Sequence, residues 1–183
     1  QGAGTRDRPR CSRRCAGSGA RRGRAAAGSV GVAHEPTGGS PVVVNTTRTA
    51  ADLASQVSSI DNTYMTNLLN ASSSVMSCTT VNQCDINKLK ITISEVKIDA
   101  NQTAKIAWSD TLNGTKRAVG ASLSLPAALK VANTNLIWSE VSYTHKPTIG
   151  YVITGTLDLS DQIFMRPRLS DCVTRNTGSS QVC

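Results

Sequence analysis

Apolar and polar positions along this chain follow two different periods, and the change falls near residue 80. Between residues 47 and 76, Ala50, Ala54, Val57, Ile60, Tyr64, Leu68, Ala71 and Val75 recur every three or four positions. That spacing lines one face of a helix. The other face is Ser, Asn, Gln and Asp, and Thr46 or Thr47 is the expected cap. A helix this polar is weak alone and needs a sheet to pack against.

After residue 88 the period is two. Leu89, Ile91 and Ile93 alternate with Lys90, Thr92 and Ser94. At Glu95 the phase flips, and Val96 and Ile98 continue in the other register, which predicts a bulge or bend. Ala104, Ile106 and Trp108 alternate in turn, and Asn113-Gly114 is a two-residue hairpin signal. A short helix is expected over 125–132, with Ser124 as cap and Pro126 in the first turn. Ile137, Ser139, Val141 and Tyr143 form the next strand. Ile149, Tyr151, Ile153, Gly155, Leu157 and Leu159 form the final long one. Arg166-Pro167-Arg168 stops it, because Pro has no N–H to give a ladder. The expected class is α+β: a long N-terminal amphipathic helix packed on an antiparallel sheet of about four to five strands.

The chain has 183 residues, enough for one domain with a core. Only 3% are aromatic, so Val, Ile, Leu and Ala must build that core. The formal charge of +8 is unevenly placed. Residues 1–40 carry eight Arg against Asp7 and Glu35, leaving +2 for the remainder. Nucleic-acid binding would therefore rest on the tail alone and is not favoured. Residues 1–43 are Arg-, Gly- and Ala-rich and are expected to be disordered. Three origins fit them: a natural basic tail, a cloning-derived segment, or an out-of-frame reading of an anchor-encoding region. The folded domain is expected over 44–171, with a polar C-terminal tail over 172–183.

Six cysteines in a chain of polar β residues favour disulfides and an oxidising compartment. Cys78 and Cys84 enclose a short loop between the predicted helix and the first strand. Cys172 and Cys183 would close a second loop at the C-terminus. Zinc is disfavoured, since His34 and His145 are isolated and Cys11/Cys15 lack companions.

No catalytic set is legible: no phosphate loop, no nucleophile elbow and no paired zinc histidines. His145 would need Ser142 or Thr144 on its own side to act as a base. Asp158 and Asp161 flank Ser160 at a strand end, where a polar terminus or a weak cation site explains them equally. Trp108 and Trp138 fall in apolar strand phases, which favours core anchors over docking residues. Tyr143 and Tyr151 are placed to pair across two strands. Asn45, Asn70, Asn101 and Asn113 each open an N-x-[ST] sequon.

The stretch Val141-Ser142-Tyr143-Thr144-His145-Lys146-Pro147-Thr148-Ile149-Gly150, with the later Phe164-Met165-Arg166-Pro167-Arg168, resembles the C-terminal signature of the TadE/TadG-like family. There a V-x-Y strand is followed by Pro and Gly, and a second strand ends in R-P-R. Upstream, an Ala/Leu/Val-rich helix, then Ile91-Thr92-Ile93-Ser94-Glu95-Val96, then Ile106-Ala107-Trp108-Ser109 follow the same order. The resemblance spans roughly 44–168. It makes Trp108, Trp138, Tyr143, Pro147, Gly150, Arg166, Pro167 and Arg168 the motif or interface candidates.

The resemblance implies a pilin-like periplasmic domain, a non-enzymatic minor component acting in assembly or anchoring of a Tad-type pilus. Its partners would be other pilins or pilus-assembly proteins, with no cofactor and no small-molecule substrate. Members begin with a membrane-spanning helix. No apolar run of about 18 residues occurs in this sequence, so the implied inner-membrane anchor is missing from it. Arg166 and Arg168 would pair with a neighbouring subunit or shield a sheet edge. The family is bacterial, which lowers the weight of the four sequons. The alternative is a disulfide-stapled extracytoplasmic adhesin or ligand-binding module.

Overall fold

A computed structural model of the chain describes residues 33–34, 40–76, 84–145, 156–178 and 181–183. In chain order the elements are β1 (Ala33–His34), α1 (Pro41–Ser55), β2 (Ser59–Ile60), α2 (Asn62–Val75), β3 (Leu89–Ile98), β4 (Ala104–Leu112), β5 (Ser122–Leu123), β6 (Thr134–His145), β7 (Leu157–Met165), β8 (Thr174–Asn176) and β9 (Gln181–Val182). The architecture is mixed α and β. One antiparallel sheet runs β1-β7-β6-β3-β4-β5, and a small second sheet runs β2-β8-β9.

The single helix expected over 47–76 is two helices. α1 begins six residues earlier, with Pro41 in its first turn, where a missing N–H costs nothing. Thr46 and Thr47 are therefore not caps. They are buried in mid-helix, and their hydroxyls donate to the Val42 and Val43 carbonyls. The break after Ser55 has three causes. The Ser55 carbonyl accepts from Arg168 N at 2.9 Å instead of continuing the helix. Ser59 and Ile60 pair in parallel with Thr174 and Arg175. Asp61 then caps α2, its Oδ1 accepting from Tyr64 N at 2.6 Å. The Tyr64 hydroxyl donates back to Leu53 O and ties the two helices together.

α1 lies across β6 and β7. Its buried stripe includes Val43, Thr47, Ala50, Ala51 and Ala54, and the small residues bring the helix close to the sheet. Beneath lie Leu89, Ile91, Ile93, Ile137, Val141 and Ile163, all essentially solvent-free.

The predicted phase flip at Glu95 is a bulge between β3 and β4. Glu95 pairs with Trp108 but Val96 with Ile106, so Ala107 is the extra residue on β4. Trp108 and Ile106 consequently join different cores, although their spacing suggested a shared face. On the sheet face away from the helices, Val96, Ile98, Ala104, Ile106, Leu136, Trp138 and Phe164 form a second cluster under Leu125.

The segment read as a helix over 125–132 is one 3-10 turn, Ala127–Leu129. Pro126 precedes it in extended backbone (ψ 143°), which keeps Leu123, Leu125 and Leu129 directed onto the second cluster. Asn113-Gly114 bends the chain without closing a two-residue hairpin, since β4 next pairs with β5 only at Ala104–Leu123 and Lys105–Ser122. Asn113 takes a positive φ of 53°, and its Nδ2 donates to the Ile86 and Leu89 carbonyls.

The last strand of the large sheet extends beyond Leu159 to Met165, burying Ile163 and Phe164, while Leu157 is exposed. The part of that predicted strand over 149–155 lies outside the described residues. Residues 172–183, expected as a polar tail, contain β8 and β9. β1, within the segment expected to be disordered, pairs with Phe164 and Ile163 of β7. Among the described residues no helix is long and apolar enough to cross a membrane.

Candidate functional site

Alternation along β3, β6 and β7 sends Lys90, Thr92, Glu140, Ser142, Ser160 and Gln162 to the face opposite the helices. The register sets them side by side: Lys90 beside Ser142, Thr92 beside Glu140, Ser142 beside Ser160, Glu140 beside Gln162. With residues 114–117 as a wall, they line an open polar groove of about 630 Å³. Arg117 grips Glu140 with two bonds, from Nε at 2.7 Å and Nη2 at 2.6 Å. Its guanidinium also lies 3.9 Å from the centre of the Trp138 ring. Trp138 stacks on Phe164, with centroids 5.4 Å apart, and donates from Nε1 to Gln162 Oε1. Arg117 thus stands where the apolar half of this face meets the polar half.

On the helix-covered face the C-terminal segment closes over Glu95, Trp108 and Asp110. Glu95 is fully buried. Its Oε2 accepts from Trp108 Nε1 at 2.7 Å and its Oε1 from Val173 N at 2.9 Å. Desolvation pushes the carboxyl up to about 7, although the Val173 N–H, the indole and the charge of Lys97 pull it down. Next to it, buried Arg175 donates to Asp110 Oδ2 at 2.6 Å, Asn62 Oδ1 at 2.8 Å and the Ile60 carbonyl at 3.2 Å. This one guanidinium joins β4, β2, α2 and β8. Lys116 adds a second cation to Asp110. The disulfide Cys172–Cys183 (Cα–Cα 5.9 Å) closes the segment.

The remaining candidates separate as follows. Cys84 is disulfide-bonded and half-buried, and Cys78 lies outside the described residues. Pro147, Gly150 and Tyr151 also lie outside them. The expected pairing of Tyr143 with Tyr151 therefore falls outside the described residues; Tyr143 stands in register with Leu89 and Leu159, and its hydroxyl accepts from Asp85 N at 3.2 Å. His145 shares a side of β6 with Tyr143, while Ser142 and Thr144 take the other. Alternation therefore separates the imagined base from either nucleophile. Asp158 is exposed and accepts from Thr144 Oγ1, whereas Asp161 is buried on the opposite face, so they form no shared cation site. Trp108 and Trp138 are both core residues.

Arg166, Pro167 and Arg168 do end β7. Arg168 returns to α1, pairing with Asp52 at 2.5 Å, so its carboxylate partner lies within the chain. Among the described residues no three His, Cys, Asp or Glu side chains gather as a metal site.

Sequence patterning missed the Glu95 and Arg175–Asp110 clusters. A charged residue standing in the apolar phase set by Leu89, Ile91 and Ile93 was the available signal for Glu95. No family model matches this chain, and neither does any curated protein or solved structure.

Proposed function

We propose that this chain is a non-enzymatic, minor-pilin-like component acting in assembly or anchoring of a Tad-type pilus. The observation that carries this is α1 laid across β6 and β7 of a single antiparallel sheet, an arrangement that suits a pilin-like fold. The residues of the family resemblance support it by making the fold. Trp108, Val141 and Tyr143 are core, and Arg166-Pro167-Arg168 turns the chain from β7 back to α1. The Cys172–Cys183 bridge suits the periplasm or cell surface. Other pilins or assembly proteins would be engaged through the open face by packing and polar contact. Deleting the gene in its bacterium is expected to reduce surface pili and adherence together. Unchanged pilus number and adherence would overturn the proposal.

A second role, an extracytoplasmic binding module, is favoured by the polar groove along Lys90, Glu140 and Gln162. Glycan binding by the isolated protein, with pilus assembly intact in the deletion strain, would select it.

A further inference from the structure

Four sequons occur in the chain, and the structure sets one apart. An N-glycan acceptor needs its carboxamide in solvent and the hydroxyl two residues later within the transferase's reach. Asn45 and Asn70 lie inside α1 and α2. Their partner hydroxyls, on Thr47 and Ser72, are fully buried and donate to the Val43 and Leu68 carbonyls. Asn113 commits its Nδ2 to two carbonyls, at 2.9 and 3.0 Å. None of these three can present the carboxamide and hydroxyl together without local unfolding.

Asn101 stands at the tip of the β3–β4 turn, and it, Gln102 and Thr103 are all exposed. The turn is held by other groups. Asp99 N donates to Thr103 O, and Gln102 N to Asp99 O, both at 3.0 Å. Asp99 Oδ1 accepts from Asn101 N at 2.9 Å and Thr103 N at 2.8 Å. Gln102 takes the positive φ of 60°. The turn is therefore rigid while the two side chains that matter point to water. Asp99 is also the one acid standing two residues before any of the four asparagines. The equivalent positions are Val43, Leu68 and Thr111. A carboxylate there gives a cationic transferase side chain a charge-assisted anchor.

We propose that Asn101 is an N-glycosylation acceptor, with Asp99 and Thr103 as its recognition residues. The donor class is a polyprenyl-pyrophosphate-linked oligosaccharide. Asn101 Nδ2 attacks the anomeric carbon and the new C–N bond forms. The carbon–oxygen bond to the pyrophosphate breaks, and the lipid pyrophosphate leaves with that electron pair. The proton lost from the carboxamide goes to a carboxylate of the transferase. This rests on the extracytoplasmic placement proposed above, because such donors are used on that side of the membrane.

The test uses the full chain, purified with its disulfides formed, a single-subunit bacterial oligosaccharyltransferase and a polyprenyl-pyrophosphate oligosaccharide. Intact mass is expected to rise by one glycan, found on the peptide containing Asn101. Asn101→Gln abolishes the gain, while Asn45→Gln, Asn70→Gln and Asn113→Gln leave it. Asp99→Asn retains the turn's acceptor oxygen but not the charge. It is expected to slow transfer about tenfold, the scale of one charge-assisted hydrogen bond. A glycan on another asparagine, no transfer to the folded chain, or an undiminished rate for Asp99→Asn would each overturn the proposal. The assay involves no pilus, so its failure is distinguishable from an unchanged pilus phenotype in the deletion strain.

Discussion

The two faces of the large sheet bury charge differently. On the helix-covered face Glu95, Asp110 and Arg175 are withdrawn from water, and their hydrogen bonds run to at least three other elements. On the open face Glu140 and Arg117 pair with each other and remain partly hydrated. An ion pair in water contributes little, whereas a buried one stripped of its partner leaves an uncompensated charge. The covered face should therefore depend on its charges, and the open face should keep its charges available for contact.

The strongest way to break this contrast is Arg175→Met. It leaves the Asp110 carboxylate with only the largely exposed Lys116 and unpairs the Asn62 and Ile60 acceptors, and it is expected to cost about 3–5 kcal/mol in urea unfolding. Arg117→Ala on the open face should cost at most about 1 kcal/mol. Equal losses would mean that the two faces are not distinct. Among apolar positions, Ile93→Ala removes a side chain with no exposure. A loss of about 2–5 kcal/mol is expected. Its neighbour Thr92, turned to the groove, should tolerate Ala to within about 1 kcal/mol.

Opening the Cys172–Cys183 bridge by a double Cys→Ser change should cost about 3 kcal/mol, from the 11-residue separation it closes. The loss should centre on the segment over Glu95. Hydrogen exchange at Val173 and Arg175 would show this, and uniform acceleration across the sheet would contradict it.

Glu95 sharpens the comparison through pH. Its folded value near 7 lies above the ordinary 4.5, so the folded state keeps a proton that the unfolded state releases. Its contribution is fully present below pH 4.5 and is lost as pH rises through 7, a fall of about 3 kcal/mol. Glu95→Gln should flatten that slope relative to the unmodified chain when unfolding is measured from pH 4.5 to 8. An identical slope in both proteins would rule out Glu95 as its source.

How much of this was legible in the sequence varied with the range of the contacts. The bulge at Glu95 was visible because a phase change within one strand is local. The placement of Trp108 and Ile106 in separate cores was not, because the extra residue at Ala107 shows only against the register of β3. The helix break at 56–61 was hidden for a similar reason. Its apolar spacing continues through Val57 and Ile60, and besides the local cap at Asp61 what breaks it is Arg168, Thr174 and Arg175, more than a hundred residues away. The motif residues Trp108, Tyr143 and Arg166-Pro167-Arg168 were visible as motifs, but only packing showed the first two as core and Arg168 as tied to α1.

The sequence by itself determined that a helical segment precedes a run of antiparallel strands, and that the core is aliphatic. It also placed a stop at Arg166-Pro167-Arg168. These follow from period, composition and the missing proline N–H, each a property of neighbouring residues. Only the tertiary structure decided which charges are buried, that residues 172–183 cover Glu95 instead of trailing as a tail, and which of four sequons is presentable. Burial and hydrogen-bond commitment depend on what the rest of the chain places over a residue, and the pattern along one segment carries no record of that.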